Sequence, residues 1–280
     1  MPEVRERFRV EFQKPGLDVK APLAAPPLTK SYSLTGIAFD YLLRFYVKKL
    51  NPRAVAGKWA AEDALELLKI CSDPHFVVEG VEVGRVLKRA NRIMSAAKAA
   101  YRRYLRTPGR DKPGEELIAA AIGLAQLDPF YRAAVIDVEG LGKIDERIVA
   151  DLKNILALVR GEDFFVSKVC LLNPAFGDAS ELVGGADADL VIDSTLIEVK
   201  TTKYLRLDRP TFNQLMGYYL LYRIGGIEGL DRRYRIDRLG VYYSRHGIMF
   251  SFPVERIIRG KVLSPFIRWF RKNAAEATSP

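Results

Sequence analysis

A chain of 280 residues that is 49% hydrophobic can bury a sizeable core, as one large domain or two modest ones. Its two cysteines, Cys71 and Cys170, lie far apart with no Cys or His at ligand spacing, which argues against a zinc or iron–sulfur centre. No apolar run is long enough for a bilayer and the start, MPEVRERFRVEF, has no apolar signal region, so a cytoplasmic protein without a membrane partner is expected, while 44 Lys+Arg against 34 Asp+Glu (net +10) favour a polyanionic partner, nucleic acid being the commonest.

Residues 1–30 hold five prolines and read as an extended arm with little helix. From Ser31 to Leu50 the apolar residues Ile37, Ala38, Tyr41, Leu42, Phe45 and Tyr46 recur at helical spacing. Ser33 or Thr35 is a candidate cap, and Asn51-Pro52 is a stop. Residues 53–160 read as mostly helical, with helices over Ala60–Cys71, Gly84–Leu105, Glu115–Leu127 and Ile144–Arg160. After Gly161 the pattern changes to short runs of period two. Phe165–Leu172 reads as a strand, and Ala186–Ile192 with Thr195–Thr201 as a hairpin turning at Asp193-Ser194. Pro210–Arg223 reads as a helix with Pro210 in its first turn. Leu239–Ser244 and Ile248–Val254 form a second hairpin around Arg245-His246-Gly247, and a basic helix follows Glu255.

The first hairpin carries the chemistry. With a turn at Asp193-Ser194, Ile192 faces Thr195, Asp189 falls opposite Glu198, and Asp187 opposite Lys200. All four polar residues then share one face, while Leu190, Ile192, Ile197 and Val199 point into a core. A carboxylate directly across from a carboxylate repels it. A divalent cation would remove that penalty, and oxygen ligands suit Mg²⁺ or Mn²⁺. Lys200, on the same face, can offset charge developing on a phosphate or orient an attacking water. The bland alternative is a solvated face on which Lys200 pairs with Asp187 or Glu198.

Asp189 followed by Glu198-Val199-Lys200 resembles the PD-(D/E)xK nuclease signature. Gln214 to Tyr218 is similar to the QxxxY motif of the RecB-like branch of that superfamily. Gly36 to Asp40 is similar to its GxxxH motif, with Asp where His is usual. The motif order is also that branch's order. The resemblance covers roughly residues 31–255 through these short motifs alone. It implies an α/β, restriction-endonuclease-like fold with a mixed central sheet flanked by helices. In that reading residues 31–52 are the first core helix, 53–160 a helical insertion, and 161–280 the nuclease core with a basic C-terminal helix.

The resemblance implies a Mg²⁺- or Mn²⁺-dependent deoxyribonuclease. Asp189 and Glu198 would be metal ligands, with Asp40 and Asp187 as further candidates, and Lys200 the catalytic lysine. Gln214 and Tyr218 would border the site and touch the lysine or DNA. Which of Asp187 and Asp189 leads is open, because the interval to Glu198 is short for the family. The Asp40–Arg44 spacing also fits a plain helix-surface pair. The cysteines that some relatives use for an iron–sulfur cluster are absent. Arg89, Arg92, Arg102 and Arg103, interleaved with Tyr101 and Tyr104, are candidates for DNA contact, and the partner list stays open to a helicase or another protein. His75 and His246 read as structural. The rival readings are a nucleic-acid-binding protein that has kept the fold without the activity, and a structural subunit of a repair or defence complex.

Overall fold

Proline placement decides how the chain begins. The structure, a computed structural model, describes residues 2–71, 77–78, 81–258 and 262–278, so His75 lies outside the described residues. Helix α1 spans Pro2–Glu11, where an extended arm was expected. Pro2 falls in the first turn, where a missing N–H costs nothing, and the other four prolines lie beyond Lys14, where the chain is irregular. Helix α2 spans Tyr32–Leu50 and is nearly the expected segment. Ser33 and Thr35 fall inside it, so neither caps it. Ser31 takes the N-cap position without a side-chain bond.

The segment 53–160 is not purely helical. Strand β1 (Val55–Ala56) precedes α3 (Ala60–Ile70), and a short antiparallel pair, β2 (Val77–Val78) and β3 (Val81–Glu82), precedes α4 (Val83–Arg106). Helix α5 (Glu115–Ala133) runs on past Leu127 through Pro129 to a left-handed cap at Ala134. That extension carries Arg132. Helix α6 spans Glu146–Leu158, capped by Asp145.

Strand β4 is only Cys170–Leu172. The expected lead-in 165–169 is not strand, because the Ser167, Lys168 and Val169 N–H groups donate to the Asp193 carboxylate instead of a neighbouring strand. Strands β5 (Leu190–Ile192) and β6 (Thr195–Lys200) meet at the expected turn, with Ile192 facing Thr195 and Leu190 facing Ile197. Asp193 holds φ 47°, a left-handed conformation Asp tolerates. The ladder stops short of Asp187, which pairs with Ala175 instead, so the expected Asp187–Lys200 pairing does not form. Helix α7 (Arg209–Gly225), strands β7 (Arg238–Tyr243) and β8 (Ile248–Pro253), and helix α8 (Leu263–Thr278) complete the chain.

Six of the eight described strands form one mixed sheet in the order β1-β4-β5-β6-β7-β8, with β1–β4 and β6–β7 parallel and its other pairs antiparallel. Period-two alternation gives it two apolar faces. Leu172, Leu190, Ile192 and Ile197 share a core with helices α2 to α6. Leu171, Val191, Leu196 and Leu239 face α7, α8 and α1, where Phe8 and Phe12 pack edge-on against Phe266. The protein is therefore α/β with helices on both sides of a six-stranded sheet. Among the described residues no helix is long and apolar enough to cross a membrane.

Candidate active site

Strand β6 sends Leu196, Glu198 and Lys200 to the α7 side of the sheet. Glu198 is buried, and Lys200 Nζ lies 2.6 Å from its Oε1. The same ammonium donates to Gln214 Oε1 at 2.9 Å, and Gln214 Nε2 donates to the Tyr218 hydroxyl at 2.8 Å. Tyr218 in turn stacks on Phe176, with ring centroids 5.5 Å apart. Two motifs separated in sequence thus become one hydrogen-bonded chain, Glu198–Lys200–Gln214–Tyr218. Gln214 and Tyr218 are one turn apart on α7, whose start is fixed by Asp208 accepting the Thr211 N–H at 3.0 Å.

Asp189 lies just before β5, and its carboxylate accepts the Val199 N–H at 2.6 Å. Helix α2, from the opposite layer, brings Asp40 within electrostatic reach of both Asp189 and Glu198. Burial, then the charges of Glu198 and Asp40, push the Asp189 carboxyl well above the usual carboxylate range. Glu198 is raised by burial, with Lys200 only partly compensating, and Asp40 by burial with Arg44 compensating. Asp40 Oδ1 and Glu198 Oε2 are buried and accept no hydrogen bond. Tyr218 is held firmly as the neutral phenol, by burial and then by the Glu198 and Asp189 charges.

Two arginines hold the outer acids. Arg44 is buried, and its Nη2 lies 2.5 Å from Asp40 Oδ2, so the pair readable in the sequence forms, but in the interior. Arg132 binds Asp128 at 2.7 Å and reaches Asp187 at 3.6 Å. Asp128 also accepts the Tyr41 hydroxyl at 3.1 Å. Sequence reasoning passed over Arg132 and Asp128 and read Tyr41 only as an apolar position of its helix. The four-residue interval from Asp128 to Arg132 fits a helical ion pair, but the expected helix stopped at Leu127, before both residues.

All four acids hold oxygen donors, and the two partnerless carboxylate oxygens are groups that a hard cation would satisfy. Among the described residues, no three His, Cys, Asp or Glu side chains stand close enough together to enclose one ion as placed.

The basic helix α4 is a different matter. Its apolar stripe (Val86, Ala90, Met94 and Ala97) packs into the helical core. Arg89 donates to the Val138 carbonyl at 2.7 Å and also to that of Leu141, and Arg103 pairs with Glu116. Tyr101 packs on Phe45 at 4.4 Å, and Tyr104 donates to the Asp111 carbonyl at 2.7 Å. Arg89 and the two tyrosines therefore serve the fold, while Arg92 and Arg102 stay exposed. Comparison of the chain with protein-family models, with curated proteins and with solved structures gives no match.

Proposed function

We propose that this chain is a divalent-metal-dependent deoxyribonuclease with a restriction-endonuclease-like core of the RecB-like type. The observation that carries the reading is the chain Glu198–Lys200–Gln214–Tyr218 beside Asp189 and Asp40. Four motifs dispersed from residue 36 to residue 218 meet at one end of β6.

Asp189 and Glu198, with Asp40 and Asp187, would hold Mg²⁺ or Mn²⁺. When bound, that ion supplies charge compensation to a scissile phosphodiester and acidity to a coordinated water. Lys200 stands two residues from Glu198 on the same strand face and places a fixed positive charge beside the acids. There it offsets charge developing on the phosphate and orients the attacking water. Gln214 accepts one of the lysine's three N–H bonds and fixes its direction, and Tyr218, acting through Gln214, is a positioning residue. The low exposure of Glu198 keeps bulk water from the chain and strengthens each of these interactions.

The test is direct. Purified protein with Mn²⁺ is expected to degrade single-stranded, duplex or branched DNA, and Lys200→Ala to lose at least about a hundredfold in rate. Equal behaviour of the two proteins on all three substrates ends the enzyme reading. The arginine-clamped Asp40 and the dispersed acids favour a second reading, a nucleic-acid-binding protein without activity. It predicts salt-sensitive DNA binding that needs no metal, with no cleavage by either protein.

A further inference from the structure

Beyond Lys200 the chain leaves β6 through residues 201–208, and its side chains divide. Leu207 is buried and Leu205 packs on the same core under α7, so Lys203, Tyr204 and Arg206 turn outward. Tyr204 is 53% exposed. Lys203 Nζ lies 5.1 Å and Arg206 Cζ 5.0 Å from its ring centroid. An exposed aromatic ring is thus held by two cations on a loop whose neighbouring leucines pin it.

The positive charge continues along the surface. Lys14 Nζ donates to the Leu207 carbonyl at 2.8 Å, and Arg209 donates to the Phe12 carbonyl at 3.4 Å. With Arg9 these two line a cavity of about 380 Å³. Burial and the nearby Arg9 both disfavour the Arg209 cation, a strain that a bound anion would relieve. The carboxylates in this region are committed: Glu11 lies 3.6 Å from Arg7, and Asp208, near Arg206, caps α7. On the other side of the strand end, Gly36 approaches Thr201, since a methyl there would meet Thr201 Cβ at 3.8 Å. Tyr32, also 53% exposed, lies one turn before Gly36 on the face of α2 that carries Asp40.

We propose that residues 201–208 with Arg9, Lys14 and Arg209 form a landing strip for an unpaired nucleic-acid strand. Tyr204 stacks on a base, the cations contact phosphates, and the strand is led to Lys200. Delivery to Lys200 rests on the nuclease reading; binding does not. Cations alone serve duplex and single strand alike, because both present phosphates. A fixed exposed ring is useful only where a base face is free, and that selects the unpaired strand.

The experiment is fluorescence anisotropy of labelled oligothymidine, and of a duplex of equal length, with the full chain in EDTA. The single strand is expected to bind more tightly. Tyr204→Ala should weaken it about tenfold without affecting the duplex, and Tyr204→Trp should restore it. Arg206→Gln should reduce the salt slope on the single strand by about 0.7. Wild-type affinity in Tyr204→Ala, or an equal loss on both nucleic acids, overturns the strip. Strip-dependent binding without cleavage under any metal ends the nuclease reading alone, whereas cleavage with Tyr204→Ala binding as wild type ends the strip alone.

Discussion

Two of the protein's interior ion pairs, Arg245–Asp151 and Lys200–Glu198, are treated in opposite ways. Arg245, between β7 and β8, meets Asp151 of α6 through two bonds of 2.8 and 2.9 Å, with both side chains 1% exposed. The guanidinium also donates to the Ala25 carbonyl at 3.0 Å, and Ala25 N–H returns a bond of 3.0 Å to the Arg245 carbonyl. Only its Nε lacks a partner. This pair ties the proline-rich arm, α6 and the second hairpin together. At Glu198–Lys200 one carboxylate oxygen is satisfied and the other is not, and two more acids stand nearby with raised proton affinities. One pair is closed by its geometry, while the other is left open. Burial alone does not mark a charge as a candidate for function; a buried carboxylate oxygen without a partner, beside other acids of raised proton affinity, does.

The sharpest way to break this contrast is to remove one partner of the closed pair. Arg245→Met leaves the Asp151 charge buried and uncompensated, with an expected loss of about 3–5 kcal/mol in urea unfolding. The double variant Arg245→Met, Asp151→Leu should recover most of that loss. If the single variant costs under 1 kcal/mol, the pair is not the clamp described.

The open pair should behave in reverse. In EDTA, Glu198→Gln relieves repulsion among Glu198, Asp40 and Asp187, so the variant should be at least as stable as wild type. Added Mn²⁺ at a hundred times its dissociation constant should stabilise wild type by about 2.7 kcal/mol and raise its Tm. Glu198→Gln should gain much less. If scanning calorimetry finds equal metal responses, Glu198 is not a ligand.

The same contrast explains what could be read in advance. The β5–β6 register was legible because an Asp-Ser turn between apolar runs of period two admits little else; the ladder ends at Leu190 facing Ile197, one residue short of the expected Asp189–Glu198 pair. The helices α2 and α7 were legible from spacing and stops. The closed pair was not. Nothing local marks Arg245 as the partner of a residue 94 positions away, because the turn containing it reads as polar surface. Arg132 was missed because the expected helix stopped at Leu127, whereas α5 continues through Pro129 to Ala133. The arginines of α4 looked like a DNA face because composition does not record which guanidiniums are already engaged with carbonyls, as Arg89 is. Apolar periodicity and turn chemistry are local; ion-pair partners are chosen by the fold.

Asp193 gives the smallest test and the cleanest sign. Its carboxylate accepts three N–H bonds, of 3.2, 2.7 and 3.1 Å, from Ser167, Lys168 and Val169. Burial by itself would raise its proton affinity, but those donors outweigh it and hold the carboxyl below its usual range, opposite to Asp189. A carboxylate depressed in the folded state adds stability above its unfolded pKa, and that stability is lost as pH falls through the folded one. Asp193→Asn keeps the left-handed backbone but not the charge. At pH 7 it should lose about 1 kcal/mol, the low end for charge-assisted bonds because the group is half-exposed. Titrating urea midpoints downward from pH 5, the two proteins should converge in the acid range as wild-type Asp193 takes up its proton. If their separation is as large at pH 2 as at pH 7, the donors act on the turn's shape, not on its charge.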